Sequence, residues 1–319
     1  MPSLPVTSCA PHATSEQLEA WRANVGAPLA YDPPVEYSAP GPPKPRALLV
    51  LSWNVWIGRG RLGDMVAAVR AGTYASLGAE AGLPVVVLLQ EALRADDSVP
   101  VRSNGRAARD LAVHIQGRED VAETAVRQGL YLRYAPSMRN GAPRSDRGNA
   151  VLSTLPLEDA RGIELPLVLQ RRVAVAATVT VGGRRLRMVT AHLAPRGPIG
   201  YKWLGAAGRA QQARHLLDRL EDDTVVLGAD LNLGRGRAEP AWQQLVEAGF
   251  EQGMPPVEPT WRHTYHALPR LVLDYIVVRD AAGILAGARV HRLDEHPADR
   301  GRTVFGSDHH PLLARIDLR

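Results

Sequence analysis

Only one cysteine, Cys9, stands in the 319 residues, so no intrachain disulfide and no cysteine-built zinc site can form. Lysine is nearly missing too: of the 38 basic residues, all but Lys44 and Lys202 are arginine. Arginine suits bidentate contact with phosphate, yet so lopsided a ratio is also what genomic base composition produces. No run approaches the roughly 18 consecutive apolar residues of a membrane-spanning helix. The N-terminus has neither a basic start nor an apolar core, so no ordinary signal peptide is expected. Val6-Thr7-Ser8-Cys9 is superficially like a bacterial lipoprotein cleavage site, but no apolar stretch precedes it, and a cytoplasmic location is the expectation. Short-period repeats and glycine loops of the nucleotide-binding types are also missing.

What is present is ordinary globular material. Hydrophobic content of 45% and charged content of 22% suffice for a substantial core in one large α/β unit. A net charge of +5 leans toward anionic partners without forming a nucleic-acid tail. Residues 1–46 differ in texture from the rest. Their prolines, clustered from Pro40 through Pro45, predict an extended arm laid along a domain that spans residues 47–319. Within the arm, Ser15–Ala23 reads as a short amphipathic helix capped by Ser15.

From Ala47 onward the pattern is of buried strands. Ala47–Trp53, Val85–Leu89 and Val225–Leu227 are nearly continuous apolar runs, the mark of strands covered on both faces. Val173–Val181 and Arg185–Leu193 flank Gly182-Gly183, a hairpin signal. Asp274–Val278 and Leu312–Leu318 supply the closing strands. Arg209–Leu220 places Ala210, Ala213, Leu217 and Leu220 at helical spacing, with its arginines and glutamines elsewhere. Ala241–Ala248 is a second helix, with Pro240 at its start and Gly249 past its end.

Several of these strands finish in a polar group. Leu51-Ser52-Trp53-Asn54 ends in an amide, Leu88-Leu89-Gln90-Glu91 in a carboxylate and Val189-Thr190-Ala191-His192 in an imidazole. Such endings deliver chemistry to a sheet edge, where α/β proteins build sites. Each taken alone also fits a solvated strand end or a hydrogen-bonded structural residue. Asp230 and Asn232 are two apart and share a face if the backbone is extended, which suits holding a water; an Asx turn fits either residue singly. Asp274 lies amid apolar neighbours, where an unpaired charge is costly, and His309 is its expected partner. The stretch Gly306-Ser307-Asp308-His309-His310-Pro311 sets an acid beside imidazoles at the mouth of the last strand.

In order, Ser52-Trp53-Asn54, Leu89-Gln90-Glu91, Arg147-Gly148-Asn149-Ala150-Val151-Leu152-Ser153, Thr190-Ala191-His192-Leu193, Gly228-Ala229-Asp230-Leu231-Asn232, Leu273-Asp274-Tyr275-Ile276 and Gly306 to Pro311 resemble the motifs of the endonuclease/exonuclease/phosphatase superfamily of metal-dependent phosphoesterases. The resemblance covers about residues 47–319. It implies a four-layered α/β/β/α sandwich, with two mixed β-sheets face to face and helices outside. It also implies hydrolysis of a phosphate ester with Mg²⁺ or Mn²⁺. Carried over by position, Glu91 is the principal metal ligand, with Asn54 and Asp308 completing the surroundings. Asp230 and Asn232 position and activate water, His192 donates to a phosphate oxygen, Asp274 orients His309, and Asn149 shapes the pocket. His310 is left without a catalytic role. The donors suit Mg²⁺, which takes oxygen ligands and needs only one or two carboxylates.

There are departures. Pancreatic-type deoxyribonucleases pair the His192 counterpart with an extra glutamate, which has no obvious equivalent before Arg147-Gly148. An arginine commonly follows the metal-binding glutamate closely, and Arg94 comes at a different spacing. For the substrate, Arg196, Tyr201, Lys202 and Trp203 combine basic and aromatic groups able to stack bases and hold phosphates, and equally able to pack their own loop. The sequence expectation is a monomeric nuclease acting on nucleic acid. The alternative is a phosphatase or phosphodiesterase for a phospholipid or small phosphate ester.

Overall fold

In a computed structural model, residues 3–7, 13–34, 45–101, 114–168, 170–195, 204–220, 224–256, 260–295, 301 and 303–319 are described. Among the described residues, thirteen strands form two sheets. One has the order β1 (Val6–Thr7), β7 (Glu158–Glu164), β8 (Val173–Val181), β9 (Arg184–His192), β10 (Thr224–Asp230), β11 (Asp274–Asp280). The other runs β12 (Leu285–Arg292), β13 (Leu312–Leu318), β3 (Ala47–Asn54), β4 (Val85–Ala95), β6 (Ser145–Ser153), β5 (Tyr131–Arg139), β2 (Leu29–Tyr31). Both are mixed: β9 pairs parallel with β10 and β3 with β4, while most other pairs are antiparallel. The edge strands β1 and β2 come from the proline-rich segment, and no proline falls inside either.

The apolar runs sort by alternation into three cores. Leu48 and Val50 of β3, Val86 and Leu88 of β4, and Val175, Ala177 and Val179 of β8 fill the space between the sheets. Leu49, Leu51 and Trp53 point the other way, against α2 (Leu62–Arg70) and α3 (Val121–Gln128). Ala174, Ala176, Val189 and Leu227 pack under α4 (Leu204–Leu217) and α5 (Pro240–Glu247). These are the four expected layers, helix–sheet–sheet–helix. Among the described residues, no helix is long and apolar enough to cross a membrane.

Local details depart from the sequence reading. The first helix, α1 (Ser15–Arg22), is capped by Thr14, not Ser15: Gln17 N donates to its hydroxyl at 3.1 Å, and the Gln17 side chain accepts from Thr14 N at 2.9 Å. In α4 the polar side chains are not all outside. Arg209 is buried and forks onto Glu239, both bonds at 2.8 Å. Gln212 is buried as well and takes up the backbone of Ala194 and Pro166, each at 2.8 Å. A buried polar group that finds both its partners can occupy an inner helix face that pattern reading assigns to apolar residues. Arg94 is buried too: its Nε donates to Asp146 at 3.1 Å and its Nη1 to Ala27 O at 2.6 Å. It fastens β4 and β6 to the chain just before β2, with Gly26 N also donating to Asp146, so its role is structural.

The sheets approach closely at Gly228 on β10. A Cβ there would stand 2.7 Å from Ser52 Oγ and 2.8 Å from Leu88 Cδ1, both in the facing sheet. Just beside it, Gln90 Nε2 reaches across to Thr190 Oγ1 at 3.0 Å and Gly228 O at 3.2 Å. Thr190 Oγ1 returns a bond to Leu89 O at 3.0 Å. Gly228→Ala should therefore wedge the sheets apart and cost about 1–3 kcal/mol, the usual range for overpacking. Urea denaturation measures this, and an unchanged midpoint would contradict the close approach.

Candidate active site

The chemistry-bearing ends meet above this contact. Asp230, the last residue of β10, pairs in register with His192 on one side and Asp274 on the other. Asn54 ends β3 in the facing sheet, and its Nδ2 donates across the gap to Asp230 Oδ2 at 2.9 Å. The Ser307–His309 segment is strapped to the end of β3: Ser307 Oγ donates to Asn54 O at 2.7 Å and Trp53 Nε1 to His309 O at 2.8 Å. Asn54, His192, Asp230, Asp274 and His309 thus converge, all buried.

Two residues arrive by a route the sequence did not indicate. Glu91 does not end its strand: β4 runs on to Ala95, and the register breaks between Leu89 and Ala92. Glu91 sits in that bulge with φ +53°, a left-handed conformation that a non-glycine residue adopts at a cost of about 1–3 kcal/mol. The bulge turns its side chain into a small pocket shared with Arg147, Gly148, Asn149, Arg172 and His192. Asn232 also has a positive φ, +52°, so the extended-face argument for it fails. An Asx-type bond forms instead, Asn232 N to Asp230 Oδ1 at 3.0 Å, while Asn232 Nδ2 donates to Leu193 O at 3.2 Å.

Buried charge decides the protonation states. Asp274 Oδ2 lies 2.7 Å from His309 Nδ1, as expected from the sequence. Burial works against charge on His309, but Asp274, its hydrogen bond, Asp230 and Asp308 outweigh it and raise the imidazole to about 10. His309 is therefore an imidazolium at neutral pH. Asp230 is raised to about 7 by burial and the Asp274 charge, opposed by His309, Asn54 and Arg172. Asp308 rises to about 6 through burial and the nearby Glu91 charge, with His309 pulling the other way.

His192 is the opposite case. Burial, then Arg172, His309 and Arg147, hold it well below its ordinary value, so it is neutral. Arg172 Nη1 lies 3.1 Å from its Nδ1; a guanidinium only donates, so the ring proton sits on Nε2. That Nε2 lies 3.4 Å from Asp230 Oδ2. The donor at His192 is thus a neutral imidazole, and the imidazolium is His309.

Arg172 was not anticipated, because among so many arginines a single one carries little signal. It follows Arg171 directly, yet the two diverge: Arg171 Nε donates to the buried Glu164 at 2.7 Å, while Arg172 enters the site. Arg172 is lowered to about 10 by burial, with Glu91 raising it and Arg147 lowering it. Arg118 is lowered by burial and then by Arg59, with Glu91 opposing and Arg147 adding to the effect. Arg59 itself stacks over Trp56 at 4.4 Å. Tyr265 is a further unanticipated neighbour, its ring 5.0 Å from that of His309.

Asn149 lies in the pocket wall, its Nδ2 donating to Val173 O at 2.9 Å. His310 turns away from the site toward His266. Arg196, Tyr201 and Trp203 lie outside the described residues. Acidic and histidine groups able to hold a metal are present, among them Asp230, Asp274 and His309. Asp274 and His309 already occupy one another at 2.7 Å, and Glu91, Asp308 and Asn54 are the remaining oxygen donors that could hold a cation. Those three fit it: Glu91 and Asp308 repel each other, all three offer oxygen, and Asn54 Oδ1 keeps a lone pair beyond its 3.1 Å bond from Trp56 N.

By sequence, no curated protein matches the chain. Solved structures share its fold. Sphingomyelinase C from Streptomyces griseocarneus is 21% identical with a TM-score of 0.53, covering 84% of this chain and 99% of that one. The human nocturnin catalytic domain is 17% identical with a TM-score of 0.53, covering 86% and 94%. A family protein from Leptotrichia buccalis is 13% identical with a TM-score of 0.54, covering 85% and 99%. The Endonuclease/Exonuclease/phosphatase family profile matches residues 51–309, most of the two-sheet body and every converging side chain described above. The chain therefore belongs to the endonuclease/exonuclease/phosphatase family, whose members are hydrolases of phosphoester bonds and generally use divalent metals.

Proposed function

We propose that this protein is a Mg²⁺- or Mn²⁺-dependent nuclease that hydrolyses phosphodiester bonds of nucleic acid. The observation that carries the reading is the row of arginines beside Glu91. Arg172, Arg147, Arg118 and Arg59 lie close enough for each to perturb the next, and they extend from the buried pocket to the exposed surface. A polyanion with a phosphate at every nucleotide uses such a row; a single phosphate ester engages only its inner end.

Glu91, Asp308 and Asn54 would hold the cation, which when bound stabilises negative charge on the phosphoryl oxygens. The rest falls to the chain's own groups. The Asp230 carboxylate accepts the proton of the attacking water, and Asn232 holds that carboxylate in place through its backbone N–H. His309, whose imidazole is raised to about 10, suits the donor's part and not the base's; its Nε2–H donates to the phosphoryl group or the departing oxygen. His192 presents a neutral Nε2–H, fixed in that tautomer by Arg172. Donors aimed at charge that grows toward the transition state lower the barrier more than they tighten substrate binding. The fold is shared with an enzyme named for sphingomyelin, so cleavage of that lipid is the competing outcome.

Plasmid DNA, RNA, sphingomyelin vesicles and nucleotides, each assayed with Mg²⁺ and Mn²⁺, separate the two. Cleavage of nucleic acid by wild type and not by Glu91→Gln is expected; hydrolysis confined to the lipid or to mononucleotides would overturn the nuclease reading. His192→Ala should lower kcat by about 10²–10³, the cost of losing one preorganised donor. Arg59→Ala, at an exposed position, should weaken binding to all nucleic-acid sequences alike and reduce the log–log salt slope by about 1. The pH–rate profile should rise as Asp230 deprotonates, through about 7, and fall as His309 loses its proton near 10. Asp274→Asn removes the main group holding the His309 proton, so the alkaline limb should move to lower pH; an unmoved limb would exclude His309 as the donor.

A further inference from the structure

Behind the catalytic residues lies a second cluster that the reaction does not use: His263, His266 and His310, whose candidate ligand atoms all lie within 4.8 Å of one another. The outer nitrogens of two rings face only acceptors. His310 Nδ1 is 3.1 Å from Leu293 O and 3.0 Å from Asp294 Oδ1. His266 Nε2 is 3.1 Å from Gly301 O. Each of these nitrogens must carry its ring's proton, because a bare nitrogen against an oxygen lone pair is repulsive. The inner nitrogens, His266 Nδ1 and His310 Nε2, then point bare lone pairs at each other across 3.1 Å.

Something positive has to lie between them. A proton would make the pair cationic in a buried place beside the Arg292 guanidinium. Arg292 Nη1 already lies 3.5 Å from His263 Nδ1, so the cluster holds a positive charge before any proton is added. We propose instead that His266 Nδ1 and His310 Nε2, joined by His263, bind a divalent transition-metal ion of the Zn²⁺ type, separate from the oxygen-ligated catalytic cation. Imidazole nitrogen selects Zn²⁺ over Mg²⁺. The separation of the inner nitrogens suits two ligands at about 2.0–2.1 Å on one tetrahedral ion. The outer contacts are what a zinc-binding histidine has: a carbonyl or carboxylate accepting its other N–H. Asp294 is itself held by Arg292 at 2.8 Å, which keeps that carboxylate aimed at His310.

The place gives the ion a purpose. His263 and His266 bracket Tyr265, which bridges to His309 and whose ring lies against it. His266 N donates to Asp308 O at 2.7 Å, and His310 N donates to Thr264 O at 2.8 Å. Thr264 Oγ1 accepts from both Leu273 N and Asp274 N at 2.9 Å. An ion shared by His266 and His310 clasps the 263–266 segment to the 308–310 segment, and so positions Asp308, His309 and Asp274 from behind.

The test reads metal binding and not hydrolysis, so it stands or falls apart from the nuclease reading. Protein freed of metal by chelator and returned to excess Mg²⁺ is titrated with Zn²⁺ by calorimetry, and with Co²⁺ by visible absorption. One Zn²⁺ per chain, tetrahedral Co²⁺ bands and a raised Tm are expected. His266→Ala should weaken Zn²⁺ by more than the roughly 10–100-fold that loss of an outer partner costs, and Glu91→Gln should leave it unchanged. His263→Ala, at a half-buried position, repeats the test should His266→Ala fail to fold. Absence of Zn²⁺ binding by folded wild type, or binding untouched in both histidine variants, would overturn the proposal.

Discussion

The site depends on how closely the two sheets approach one another. At Gly228 there is no room for a side chain, and the facing Ser52 and Leu88 occupy the space. Gln90 and Thr190 lock the sheets together at the same level. Strands that end there bring their last residues within hydrogen-bond reach, which is why Asn54 of one sheet can donate to Asp230 of the other. With wider spacing, the same residues would be separate solvated strand ends.

Closeness brings a second constraint, since carboxylates gathered in a dry place repel and resist ionisation. Asp230, Asp274 and Asp308 share one imidazolium, His309, and their combined charge keeps its proton on. In the proposed reaction that arrangement separates the roles: Asp230, raised toward neutrality, serves as the base and His309 as the donor. Arg172 does the same for His192 with the opposite sign. Where pancreatic-type deoxyribonucleases set a glutamate beside this histidine, an arginine here fixes the neutral tautomer and adds positive charge to the pocket.

Asp308, His309 and His310 show how much one short segment can serve. The bend at Asp308 lets the three side chains meet different surroundings. Asp308 comes under the charge of Glu91, His309 meets Asp274 and Asp230, and His310 turns back to His266. The catalytic edge and the histidine cluster behind it are thus coupled through adjacent residues, and the Thr264–His266 backbone completes the coupling.

The layered fold, the Gly182-Gly183 hairpin and the pairing of Asp274 with His309 were legible in the sequence. Continuous apolar runs report burial on both faces, and an acid amid apolar neighbours demands a partner wherever it lies. Chain order alone placed the seven motifs, since each is a local pattern of strand and ending. Tertiary structure decided the rest. The bulge at Glu91 and the turn at Asn232 are backbone conformations that intrinsic propensity disfavours and that only the surrounding packing imposes. Arg172 and Arg171 are alike as letters, and so are His309 and His310. What distinguishes them is the charge and the acceptors each meets in space, so their protonation and partners belong to the fold and not to the chain.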